Sequence, residues 1–135
     1  MMQQSLLMFP IREDRHESHL RMPMIGHVYH RCIMSKSLDE VYVATGDELI
    51  ASLVRSNGGR VLKTSKFHTS GTTRVAEAIE GIEATHIVLI QGDEPLMLPA
   101  HLQKMVNSIK EKPEVDAWNA TACLTIQSQL YTETL

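Results

Sequence analysis

Cysteine is scarce in this chain. Only Cys32 and Cys123 occur among its 135 residues, far apart and with no CxxC pair or histidine at ligand spacing, so neither a disulfide framework nor a zinc site is indicated. A reduced, cytoplasmic setting suits that usage. An excess of basic charge is also missing: 13 Lys and Arg stand against 16 Asp and Glu, a net charge of -3. Nucleic acid and anionic membrane would each need an extended basic face, so neither is expected as a partner. Long apolar runs are lacking too. Leu6-Leu7-Met8-Phe9 is cut short by Pro10 and the charged stretch Arg12-Glu13-Asp14-Arg15, which leaves no signal-peptide core. No segment approaches the roughly 20 apolar residues of a spanning helix. Internal repeats and low-complexity tracts are absent.

What remains is an ordinary globular composition, 43% apolar and 21% charged, and a length that suits one compact domain. Residues 1–22 show no sustained period and are expected to be an irregular leader, with the organised domain over residues 23–135. From Pro23 the chain becomes periodic. Ile25, Val28, Tyr29, Cys32 and Ile33 fall at i, i+3, i+4, i+7 and i+8, the stripe of an amphipathic helix with Pro23 in its first turn. Residues 40–45 read as a strand ending at Gly46. Asp47 is placed to cap a helix carrying Leu49, Ile50, Leu53 and Val54, and Asn57-Gly58-Gly59 stops it. Residues 60–63 resume as a strand. A polar loop from Thr64 to Gly71 leads into a helix over 72–79, and His86 to Ile90 is an unbroken apolar strand expected to be the most interior one, buried on both faces. Pro99 opens a further helix with Leu102, Met105, Val106 and Ile109 on one side, and residues 117–126 can supply a last strand. Such alternation predicts an α/β fold in three layers, a mostly parallel sheet with helices on both faces, and ligands at the strands' carboxyl ends.

Two loops at those ends carry chemistry. Gln91-Gly92-Asp93-Glu94-Pro95 sets an amide, a bare backbone and two carboxylates at the open end of the strand over 86–90. Mg²⁺ takes a few carboxylate oxygens together with phosphate and water, so one Asp beside a Gly is sufficient for part of such a site. A plain Gly-Asp turn with solvated acids would have the same sequence. The second loop, His68-Thr69-Ser70-Gly71-Thr72-Thr73-Arg74, runs into a helix whose N-terminal N–H groups attract anions, with Arg74 as a cationic fork. Here the plain alternative is that Ser70 or Thr72 caps the helix while Arg74 lies in solvent. His27, His30, His86 and His101 read as structural, because no pair of them sits beside a carboxylate at metal spacing.

Taken in order, Val43-Ala44-Thr45, the loop 68–74 and Val88-Leu89-Ile90-Gln91-Gly92-Asp93-Glu94-Pro95 resemble the sugar-acid cytidylyltransferases over about residues 23–124. The 3-deoxy-manno-octulosonate cytidylyltransferases are the nearer match and the acylneuraminate enzymes the more distant one. The resemblance implies part of a nucleotide-diphospho-sugar transferase-like fold. It also implies Mg²⁺-dependent transfer of a cytidylyl group from CTP to a KDO-like sugar acid for lipopolysaccharide biosynthesis, and a possible homodimer. It gives Asp93 as the catalytic Mg²⁺ ligand and Gln91, with Gly92, Glu94 and Pro95, as the substrate-binding turn. Ala44, Thr45, His68, Ser70, Gly71 and Thr72 would line the nucleotide pocket, with Arg74 helping to fix that loop. The family's amino-terminal basic loop is not recognisable in Phe9 to Arg21, and its second metal-binding Asp and dimerisation region have no counterpart before Leu135. A truncated, inactive paralogue that only binds nucleotide or a partner is the alternative those departures leave open.

Overall fold

The computed structural model describes the backbone of residues 5–10 and residues 23–121 in full. Its elements are β1 (Ser5–Pro10), α1 (Met24–Met34), β2 (Glu40–Thr45), α2 (Glu48–Ser56), β3 (Val61–Lys63), α3 (Gly71–Ala78), β4 (His86–Leu89) and α4 (Pro99–Glu111). Local chemistry sets most of the boundaries. Oδ1 of Asp47 accepts from the N–H groups of Leu49 and Ile50 at 2.7 and 3.2 Å, satisfying two orphan donors of α2. Gly58 takes φ +76° where the chain leaves that helix, a conformation that costs glycine little. Pro99 lies in the first turn of α4, where its missing N–H costs nothing. Pro23, expected in the first turn of α1, is its N-cap.

Among the described residues all strand pairs are parallel, in the order β3-β2-β1-β4. β1 lies in the middle, with Leu7 in register with Val41 on one side and Val88 on the other. Residues 5–10, expected within an irregular leader, are therefore a central strand; residues 11–22 lie outside the described residues. β4, expected to be the most interior strand, is an edge among the described residues, and Ile87 is 37% exposed. The reason is topological. The chain steps from β1 to β2 to β3 in one direction, then α3 carries it back across the sheet to the far side of β1. Residues 117–121 of the expected last strand form no regular structure, and the rest of that strand lies outside the described residues.

Side chains of β2 alternate between two cores, as strand geometry requires. Val41 and Val43 pack with Ile25, Val28 and Tyr29 of α1, Val54 of α2 and Leu102 and Val106 of α4. Tyr42 and Ala44 face Val75 and Ala78 of α3 instead. Three helices thus cover one face and α3 the other, the three layers that the element alternation predicts. Cys32 is buried in the larger core, and its thiol is pushed up to about 12 by burial first and by the charge of Glu94 second, which keeps it un-ionised and unreactive at neutral pH. Among the described residues no helix is long and apolar enough to cross a membrane.

Candidate active site

Parallel strands bring all their carboxyl ends to one edge of the sheet, so the loops after Thr45, Lys63 and Leu89 gather there. The order in which strands are added reverses between β1 and β4, and in open α/β sheets that switch opens the crevice where ligands bind. Gln91 and Gly92 emerge from β4 at this point. A turn follows, closed by the N–H of Glu94 on the carbonyl of Gln91 at 3.3 Å and the N–H of Met97 on the carbonyl of Glu94 at 3.2 Å. Gly92 is buried, Gln91, Asp93 and Glu94 are exposed, and Pro95 is half-buried. Nη1 of Arg31, on α1, reaches the carbonyl of Met97 at 3.3 Å and ties the far end of the turn to the core.

The loop after β3 is built differently. Ser70 caps α3 by accepting from the N–H of Thr73 at 3.2 Å, the role its plain reading assigned. Arg74 does not lie in solvent. It is 5% exposed, and its Nη1 donates to Thr64 Oγ1 at 2.8 Å and to the carbonyl of Ser65 at 3.0 Å. His68 turns its Nδ1 to Thr73 Oγ1 at 3.2 Å and its Nε2 to the carboxylate of Glu77. Gly71 is half-buried at the start of the helix, and Thr72 is exposed. Beneath them Ala44 and Thr45 are buried, and Thr45 Oγ1 accepts from the N–H of Asp47 at 3.1 Å, so this hydroxyl shapes the β2–α2 turn. At Gly46 a Cβ would stand 2.7 Å from the carbonyl oxygen of Ser65, which is why the two loops can meet there.

His68, Ser70, Thr73 and Arg74 are thus joined in one network, while Asp93 and Glu94 belong to a separate turn at the same edge. Sequence reading missed Glu77, Thr64 and Ser65. The usable signal was the spacing of Thr73, Arg74 and Glu77, which sit i, i+1 and i+4 on one helix. Their partners, however, come from a loop that folds back on α3. His68 first, then the N–H of Ser65, hold the Glu77 carboxyl below its usual range. No cluster of three or more His, Cys, Asp or Glu occurs among the described residues. The donor set fits a hard cation that completes its shell with phosphate and water, because Asp93 offers an exposed carboxylate beside a buried Gly.

Fold and loops together define a doubly wound α/β protein with its polar loops collected at the ligand edge of a parallel sheet. The chain belongs to the cytidylyltransferase family, whose model matches residues 20–135. It is 46% identical over 93 residues to a 3-deoxy-manno-octulosonate cytidylyltransferase of Geobacter sulfurreducens, covering 69% of this chain and 37% of that one. It is 42% identical over 94 residues to an 8-amino-3,8-dideoxy-manno-octulosonate cytidylyltransferase of Shewanella, covering 67% and 38%. The chain therefore spans under two fifths of the length of these relatives. A solved CMP:2-keto-3-deoxy-manno-octonic acid synthetase complexed with CTP superposes with a TM-score of 0.76 at 29% identity, over 83% of this chain and 49% of that one. A Mycobacterium tuberculosis protein solved with manganese, at TM-score 0.57 and 22% identity over 78% and 58%, shares the fold.

Proposed function

We propose that this chain forms the nucleotide-binding part of an enzyme that transfers a cytidylyl group from CTP to a KDO-like sugar acid. The reaction releases pyrophosphate and makes an activated sugar for lipopolysaccharide biosynthesis in the cytoplasm. The observation that carries the reading is the turn Gln91-Gly92-Asp93 at the reversal point of the sheet, in a chain of the cytidylyltransferase family. The sugar hydroxyl attacks the α-phosphate, and the bond to the leaving pyrophosphate breaks. Asp93 would hold Mg²⁺, which supplies charge neutralisation on the phosphates when bound. The exposed amide of Gln91 would orient the sugar acid, with Glu94 and Pro95 in the same turn. Gly92, which has no side chain, would leave room for the phosphates to approach the backbone. At the other loop, the first turn of α3 presents backbone N–H groups from Gly71 and Thr72 and the positive end of its dipole to an anion. Catalysis of this kind is alignment and electrostatics, and it requires no covalent intermediate.

Calorimetric titration of the folded chain with CTP, with and without Mg²⁺, and with UTP, GTP and ATP for comparison, tests the reading. Metal-dependent binding selective for CTP is expected. A folded chain that ignores CTP at millimolar concentration would overturn the proposal and favour an inactive relative acting as an interaction module.

A further inference from the structure

Ser65 is gripped from both sides by α3. Its N–H donates to Oε1 of Glu77 at 2.9 Å, and its carbonyl accepts from Nη1 of Arg74 at 3.0 Å. The two side chains stand three residues apart on the helix, close enough to hold both backbone polar groups of one residue. The second carboxylate oxygen of Glu77 meets Nε2 of His68, so a single carboxylate spans both ends of the segment 65–68. Between those ends the chain is held by the N–H of Phe67 on Ser65 Oγ at 3.2 Å, and its side chains bury little: Lys66 is exposed and Phe67 is 92% exposed. Ordering such a segment costs conformational entropy, which polar ties must offset here because apolar burial does not. Glu77 itself is more than a third exposed and lies on the second turn of α3, behind Ser70, Gly71 and Thr72.

We propose that Glu77 is a positioning residue, which holds the loop 64–70 through the Ser65 N–H and the His68 ring in the conformation that presents Ser70, Gly71 and Thr72 to a nucleotide. The nature of the ligand rests on the cytidylyltransferase reading; the clamp itself does not. Ionisation of Glu77 serves the role, since a charged acceptor makes the stronger and shorter hydrogen bonds.

Glu77→Gln keeps the side chain's shape and one acceptor oxygen but removes the charge that meets His68. Amide hydrogen exchange without ligand is the first readout. Residues 65–68 are expected to exchange about tenfold faster in the variant, with far-UV dichroism unchanged, as for a local opening rather than global unfolding. Equal exchange in the two chains overturns the clamp. The second readout is the CTP titration with Mg²⁺, where Kd is expected to rise about tenfold, the loss of one charge-assisted contact. A parent that binds CTP beside a variant that binds it equally well overturns the positioning role. Adding His68→Ala to Glu77→Gln should weaken binding little further, because partners in one network are not additive. Glu80→Gln, at an exposed acid in the turn just past the same helix, should move neither readout, and matching shifts there would overturn the proposal by tracing the effect to net charge. If the parent itself ignores CTP, the cytidylyl reading falls, and the exchange measurement decides the clamp alone.

Discussion

The loops over residues 64–70 and 90–98 leave parallel strands at the same edge of the sheet, yet they are held by different means. The first is stitched to α3 by side chains: Arg74 on Thr64 and Ser65, Glu77 on Ser65 and His68, and Thr73 on His68. The second is held by its own backbone turns and by Arg31 on the carbonyl of Met97, with Asp93 and Glu94 left exposed. A polar side chain committed to holding a loop has less capacity left for a ligand. On the proposed function the contrast divides labour: the loop after β3 would supply shape and backbone donors, and the turn after β4 would supply carboxylate oxygen to a cation.

The largest expected effect breaks the first loop from outside. In Gly46→Val the new Cβ would lie 2.7 Å from the Ser65 carbonyl oxygen and 2.9 Å from Lys66 Cα, backbone atoms that cannot swing aside. Urea denaturation should show a loss of about 3 kcal/mol, as for overpacking; a loss within experimental error would mean that the two loops part freely. Arg74→Met attacks the same loop from inside by leaving Thr64 Oγ1 and the Ser65 carbonyl without their donor. About 2 kcal/mol should be lost in the same assay, while a neutral result would place Arg74 outside the stabilising network. Asp93→Asn probes the other turn and should separate the two properties. Stability should change by less than about 0.5 kcal/mol, the usual range for a surface substitution, while Mg²⁺-dependent CTP affinity falls at least about tenfold. Unchanged metal dependence would remove Asp93 from the site.

The smallest effect is a pH dependence. The folded Glu77 carboxyl lies below its ordinary value of 4.5, mainly through His68 and then the Ser65 N–H. Its contribution to stability is thus present above that value and lost as pH falls through the lower folded one. Thermal melts between pH 7 and 3 should show a shallower acid decline in Glu77→Gln than in the parent; parallel curves would show that the carboxylate adds no pH-linked stability. Glu48 shifts in the same direction through Lys63 but sits on α2, so Glu48→Gln should leave the exchange of residues 65–68 unchanged.

Several features were legible because their causes lie within a few residues. The stripe of α1 apart from Ile33, which is 46% exposed, the caps at Asp47 and Ser70, the helix stop at Gly58 and the abrupt passage from β4 into Gln91-Gly92-Asp93 are all local, and the order of the motifs pointed to the family. β1 was not legible as a strand, since its apolar run Leu6-Leu7-Met8-Phe9 is cut by Pro10 and opposed charges follow at once. Its place is set by pairing with β2 and β4, whose partners begin at residues 40 and 86.

By itself, then, the sequence determined the element types from β2 to α4, the class of sheet and the two loops that deserve chemical interest, because periodicity, capping and turn propensity act over one or two turns of chain. Tertiary structure alone decided that β1 is central and β4 an edge among the described residues, that Arg74 is buried and that Glu77 grips Ser65 and His68. Those outcomes depend on which way α3 crosses the sheet and on how the loop folds back over it, and both are fixed by contacts between residues far apart in the chain.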